Sequence, residues 1–248
     1  MNFDIGPILD NWRYIPNDIN VRLVDGLDGT QKIQMRLDLG LLQMEMDGRP
    51  DGLRPKEFDS YLSYYQHKAN DALEDLRMDD TQFELTPLDC LKLQQEAIQY
   101  YHRYLALMKL ADYPRVARDT SRNIQVFDFV KEYATEEELI WSFEQYRPYV
   151  IMMNTRALAS MSMESEGIEE ALRFIQVGVE KINLFYQEHK EKLPNHSFER
   201  DFLEQWAKEL EEKRPLSQQE ELEKELERAI IQENYERAAE IRDRLKYL

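Results

Sequence analysis

Lys32–Leu39 reads KIQMRLDL, and its alternation sets the first part of the fold. Ile33, Met35, Leu37 and Leu39 fall on one side of an extended chain and Lys32, Gln34, Arg36 and Asp38 on the other, the period-two pattern of a half-buried strand. Upstream, Asn20–Asp25 reads as its antiparallel partner. The intervening DGLDGT (Asp25–Thr30) carries two Asp-Gly dipeptides, which supply the positive backbone dihedrals of a tight hairpin. Downstream of Gly40 the alternation changes phase to Leu42, Met44 and Met46, which predicts a bulge or a bend into a third strand. Five of the eight glycines lie in these first fifty residues, so the sheet is expected to be small and tightly turned.

After the turn-rich DGRPDGLRP (Asp47–Pro55), no strand pattern of comparable quality recurs, and from about Lys56 the chain reads as helical. FDSYLSYYQHKANDALEDL (Phe58–Leu76) is a first helix. Pro87, after Thr86, opens a long helix from about Leu88 to Ala111, since proline is tolerated in a first turn. Asp112-Tyr113-Pro114 breaks the chain, and a third helix runs to about Tyr133. Thr135 and Glu138 have the spacing of a capping box, predicting a helix that ends near Pro148. Two more helices flank ESEGIEEA (Glu164–Ala171), and Pro194 precedes a further one in SFERDFLEQWAKELEEKR (Ser197–Arg214). Short connections force neighbouring helices to pack antiparallel.

The segment Arg147–Phe185 resembles a tetratricopeptide unit, with Leu158 and Ala159 on its first helix and Ala171 on its second. A weaker echo spans Tyr100–Val130, where Val116 stands in place of the usual alanine and the spacing departs from the regular one. The resemblance implies a tetratricopeptide-like helical array. The expected fold is therefore mainly α with a small N-terminal antiparallel β element, an α+β arrangement divided into 1–55 (sheet), 56–214 (helical array) and 217–248 (terminal helical hairpin).

Composition narrows the function classes. The 248 residues include 32 Lys+Arg and 49 Asp+Glu, for a net charge of −17. Such a chain repels phosphate backbones unless its bases cluster, which favours protein partners. One cysteine, Cys90, excludes an intramolecular disulfide and suits a reducing compartment. No stretch approaches the length of an apolar membrane span and the start lacks a signal-peptide pattern, so a cytoplasmic protein is expected.

Beyond Pro215, Ser217 and Glu220 have capping-box spacing, and Leu222, Leu226, Ala229 and Ile230 share one helical face. After QEN (Gln232–Asn234), Tyr235, Ala238, Ala239, Arg242 and Leu245 line a return helix, with Ile241 and Leu248 extending the seam. The result is a short antiparallel helical hairpin. Leu226, Ala229, Tyr235, Glu236, Ala238, Ala239, Arg242 and Asp243 resemble the UVR motif shared by the excision-repair proteins UvrB and UvrC, over about Glu220–Leu248. Asn234 departs from the acidic residue common there. The resemblance implies a protein–protein contact in which the hairpin pairs with a similar hairpin, on another chain or on a second copy. Related motifs occur in bacterial Clp-protease regulators and stress-response adaptors, and a strand block beside a UVR end is similar to bacterial UVR-containing proteins of unassigned activity. On these grounds Leu226, Ile230, Tyr235, Glu236, Ala238, Ala239, Arg242, Asp243 and Leu245 are the expected partner-binding residues. Physics also points to association, because about eight apolar side chains cannot offset the ordering of about 30 residues.

Signatures of catalysis are missing. There is no phosphate-binding G-x-x-x-x-G-K-[ST] loop and no G-x-S-x-G elbow, and the four histidines never stand at i, i+4. Asp47 and Asp51 lie in a turn that lacks the later bidentate glutamate of a calcium loop. No cofactor and no metal are expected. Two further features suit a binding surface: Arg115, Arg118 and Arg122 form a helical stripe able to grip an anion or to pair with Asp119, and Met152, Met153, Met161 and Met163 suit either a pliable groove or a core.

The leading expectation is a non-enzymatic adaptor acting through the hairpin in DNA repair or stress proteostasis. A repair accessory factor binding nucleic acid through the arginine stripe is the alternative. A third reading, an enzyme using the N-terminal sheet, requires Asp38, Glu45 and Asp47 to converge on a pocket.

Overall fold

The computed structural model describes residues 4–75, 83–193, 196–214 and 218–246. It is mainly helical with a three-stranded antiparallel sheet near the N-terminus, and it divides into two compact units, 1–205 and 206–248. A short helix that the sequence does not announce, α1 (Gly6–Asp10), precedes the sheet. The strands are β1 (Asn20–Asp25), β2 (Gln31–Arg36) and β3 (Leu41–Glu45), in the order β1-β2-β3. Ile33 faces Leu23 and Met44, and Met35 faces Val21 and Leu42, so the alternation in KIQMRLDL fixes the register.

The β1–β2 turn uses its two glycines differently. Gly29 has φ +77°, as a tight turn requires, whereas a Cβ at Gly26 would come within 2.6 Å of Asp28 Oδ1. The Asp28 carboxylate accepts hydrogen bonds from Thr30 N (3.0 Å) and Lys32 Nζ (2.8 Å). The phase change after Gly40 is a hairpin loop, closed by Leu37 N donating to Gly40 O at 2.8 Å.

β2 is not half-buried, as alternation alone predicts. Lys32, Gln34 and Arg36 are buried along with Ile33 and Met35, because β2 is the central strand and its polar face is covered too. Lys32 pairs with Glu45 at 2.6 Å and Gln34 bonds Gln43 and Arg22, while Trp12 and Tyr14 lie against the guanidinium groups of Arg22 and Arg36. Each buried polar group therefore has a partner, the condition under which such burial is tolerated.

The helices of the first unit are α2 (Tyr61–Asp75), α3 (Pro87–Lys109), α4 (Tyr113–Tyr133), α5 (Glu137–Glu144), α6 (Arg147–Ser165) and α7 (Ile168–Glu188). Thr86 and Asp89 close a capping box at α3, with Pro87 in the first turn. At α4 the Asp112 carboxylate accepts from Arg115 N. The Thr135/Glu138 box does not form. Glu136 is the N-cap of α5 without a side-chain bond, and the Thr135 hydroxyl donates to Glu84 at 2.6 Å instead. Nor does a helix end at Pro148: α5 stops at Glu144, and Pro148 sits in the first turn of α6, where its missing N–H costs nothing. The break expected at Pro194 lies outside the described residues.

One core joins Leu62 and Tyr65 of α2, Leu93 of α3, Val126, Phe127 and Val130 of α4, and Phe143 and Val150 of α5–α6. Cys90 is buried in it, and burial pushes its thiol pKa up to about 11. Met152 and Met153 are core residues and Met163 is exposed. Gly178 of α7 lies so close to α6 that a Cβ there would meet Thr155 Oγ1 at 2.3 Å.

Buried charges tie the sheet to the helices. Arg103 and Asp119, both inaccessible to solvent, form a bidentate pair at 2.6 and 2.9 Å, and Arg103 also donates to Glu45 O on β3 at 3.1 Å. Glu96, equally buried, accepts from Tyr61 N (2.8 Å) and Leu62 N (3.3 Å), capping α2 from 35 residues away, and pairs with Arg122. α8 (Phe198–Lys213) contains the division between the two units, and the second unit holds α9 (Gln218–Ile231) and α10 (Tyr235–Leu245).

Candidate partner-binding hairpin

α9 and α10 pack against each other through a three-residue turn. Glu233 takes φ +55°, which reverses the chain, and Asn234 N donates to Ala229 O at 2.8 Å to close the end of α9. Asn234 then caps α10, its Oδ1 accepting from Arg237 N at 3.2 Å. An asparagine serves this cap as well as the acidic residue more common there. The capping box expected at Ser217 and Glu220 lies outside the residues whose side chains are described.

The structure separates two faces that the sequence reading merges. Ala229 and Ile241 are buried, Ile241 to 1% exposure, and Leu222, Leu226, Ala238 and Leu245 are half-buried around them. Ala238, Ile241 and Leu245 thus make the inner face of α10, at i, i+3 and i+7. Tyr235, Ala239 and Arg242, one residue out of that phase, are exposed together with Glu236 and Asp243. On α9, Ile230 (53% exposed) and Ile231 also face outward, close in sequence to Tyr235 (70% exposed) across the turn. Ile231 is absent from the expected partner-binding residues, although its place off the apolar stripe of an amphipathic helix signals exposure.

Charges border this apolar tip. Arg237 spans the hairpin to Glu225 at 3.5 Å and also pairs with Glu240 at 3.2 Å, while Arg242 and Asp243 approach each other at 3.9 Å. Exposed pairs of this kind contribute little to stability, so these groups can exchange partners at small cost.

Residues 217–248 match the UvrB/uvrC motif (UVR). No curated protein and no solved structure matches the chain. The UVR motif is a protein-interaction motif, and here it is a hairpin with a closed seam and an open apolar tip. Of the nine residues expected to bind a partner, Leu226, Ala238 and Leu245 belong to the UVR seam, whereas Ile230, Tyr235, Glu236, Ala239, Arg242 and Asp243 are exposed.

The other candidate groups lie in the first unit. Arg115 binds Asp47 at 3.0 Å and Asp112 at 2.8 Å. Arg118 binds Asp47, Asp119 and Met46 O. Arg122 pairs with Glu96 over the Tyr100 ring. All three guanidinium groups thus meet carboxylates of this chain. The Arg115 and Arg118 hydrogen bonds hold the Asp47 carboxyl down to about 2, against burial, from its ordinary 3.8. Glu45 and Asp47 border a cavity of about 420 Å³, paired there with Lys32 and with the arginines; Asp38 is not in its lining. Among the described residues no group of three or more His, Cys, Asp or Glu is placed to hold a metal, and no helix is long and apolar enough to cross a membrane.

The depressed Asp47 pKa gives a pH prediction. A carboxyl easier to ionise in the folded than in the unfolded chain stabilises the fold above its unfolded pKa, and that contribution fades as the pH falls through about 2. Wild type should therefore exceed Asp47→Asn in urea midpoint at neutral pH, and the gap should close between about pH 4 and pH 2. A gap independent of pH means the Asp47 ion pairs contribute nothing.

Proposed function

We propose that this chain is an adaptor that binds a partner protein through its UVR hairpin, acting by association and not by catalysis, in the cytoplasm. The observation that carries the reading is the solvent-facing Ile230, Ile231 and Tyr235 at the tip of a UVR motif whose own seam is already closed by Ala229 and Ile241. Apolar side chains left outside a packed hairpin are what a second helical surface can cover. Arg242, Asp243 and Glu236 flank α10 as a polar rim that sets orientation more than affinity. The partner of best fit is another UVR-type hairpin, on a different chain or on a second copy. The motif's resemblance supports a setting in DNA repair or stress proteostasis. The nucleic-acid reading draws little support from Arg115, Arg118 and Arg122, since each is engaged with carboxylates of the chain.

Affinity capture with the full chain, with a chain ending at Arg214, and with Ile230→Ser/Tyr235→Ser tests this. Truncation should abolish partner capture and leave the helical content of the first unit intact. The double substitution should weaken capture by about tenfold or more, as expected of an aromatic and an aliphatic anchor. Undiminished capture by the truncated chain would place the binding surface elsewhere.

A further inference from the structure

The helical body encloses a second, unrelated feature: a cavity of about 540 Å³ lined from α3, α4, α5 and the start of α6, with Glu199 of α8 contributing. A volume of this size suits a small molecule, for which pockets run from about 300 to 1,000 Å³. Its walls are unusually aromatic, formed by Tyr101, Tyr104, Phe127, Phe143, Tyr146 and Tyr149. The rings are steeply inclined: Tyr101 and Tyr104 lie 5.5 Å apart at 89°, Tyr101 and Tyr149 6.2 Å apart at 57°, and Phe127 and Phe143 6.1 Å apart at 68°. Tyr146 is 56% exposed and Ile98 is also exposed, which leaves the cavity open to solvent on that side.

The charge of the lining is one-sided. Among the described residues, Glu199 is the one formally charged side chain of the lining. Burial lowers the His102 pKa, which keeps that imidazole neutral at pH 7, and burial raises Tyr149 to about 12 and Tyr104 as well, so the phenols stay uncharged. Arg156, whose charge reaches Tyr149, is outside the lining and rests over the Phe202 ring at 4.9 Å. A carboxylate in an aromatic lining, with no lining cation among the described residues, repels anions and attracts positive charge.

We propose that this cavity binds a small organic cation with an apolar body, its ammonium placed at the Glu199 carboxylate and its apolar body against the aromatic side chains. The apolar body fills the aromatic walls and supplies contact area, and the charge supplies selection. Neutral and anionic compounds of the same shape share the first contribution and lack the second.

The test is calorimetric titration of the full chain with 2-phenylethylammonium, 2-phenylethanol and 3-phenylpropionate. The cation should bind saturably, at least about tenfold more tightly than the carboxylate. Glu199→Gln should weaken the cation by about tenfold and leave the alcohol unchanged, since it removes charge and keeps shape. Tyr146→Ala, at an exposed position, should weaken all three and keeps the test decisive if Glu199→Gln fails to fold. Absence of saturable cation binding, equal affinity for cation and carboxylate, or cation binding indifferent to Glu199→Gln would overturn the assignment.

Discussion

Asp119→Ala is expected to destabilise the protein by about 3 to 5 kcal/mol, and Arg103→Ala by clearly less. The asymmetry follows from what each substitution leaves behind. Without Asp119, the fully buried Arg103 guanidinium keeps, among the described residues, the Glu45 carbonyl and the Tyr100 ring as partners and no carboxylate. Without Arg103, Asp119 still holds Arg118 at 2.9 Å, and Arg118 reaches solvent. A buried charge that loses its counter-ion bears its full desolvation cost, whereas one that retains a partner does not. Replacing both residues together by Met and Leu should cost less than Asp119→Ala, because neither charge is then stranded. Denaturant unfolding of the single and double variants reads this directly, and equal losses for the two single substitutions would mean that Arg118 does not share the load.

Gly178→Ala should destabilise by about 1 to 3 kcal/mol although helix propensity alone favours alanine by about 1 kcal/mol. Gly178 lies inside α7 at ordinary helical dihedrals, so propensity predicts a gain. Sterics decide the sign: the new Cβ meets Thr155 Oγ1 at 2.3 Å, Cγ2 at 2.6 Å and Cβ at 2.9 Å. Thr155→Ala removes the first two contacts and retains the third. The double variant should therefore recover part of the loss and not all of it, a non-additivity that thermal denaturation can measure. A stabilised Gly178→Ala would show that α6 and α7 separate readily at this point.

How much of this was legible in the sequence depended on the range of each signal. Alternation in KIQMRLDL gave the place of β2 and its partner Asn20–Asp25, and Thr86-Pro87 gave the start of α3, because both are read within a few residues. The hairpin was legible from helical spacing and from its resemblance. The division of α10 into inner and outer faces was not, because Ala238 and Ala239 are adjacent, and composition does not say which of them turns inward. Long-range pairs were beyond local reading: Arg103 with Asp119, Glu96 with Tyr61, Arg115 with Asp47. The stripe at Arg115, Arg118 and Arg122 read either as a surface for anions or as a face paired with Asp119; in the fold Arg118 does meet Asp119, and the remote partners Asp47 of Arg115 and Glu96 of Arg122 are what local reading missed. The burial of both faces of β2 depends on the same remote partners, since alternation reports chemistry and not coverage. Thr135 illustrates the converse error, a local capping signal whose hydroxyl found Glu84 instead.

The buried Cys90 has a practical consequence for studying the hairpin in motion. Its thiol is enclosed by the α2–α5 core and pushed up to about 11, so at neutral pH almost no thiolate is present to react. The native chain can therefore serve as its own unreactive background. A thiol introduced at exposed Glu236 would accept a fluorophore or spin label selectively, and the label would report directly on the surroundings of α10 as a partner arrives.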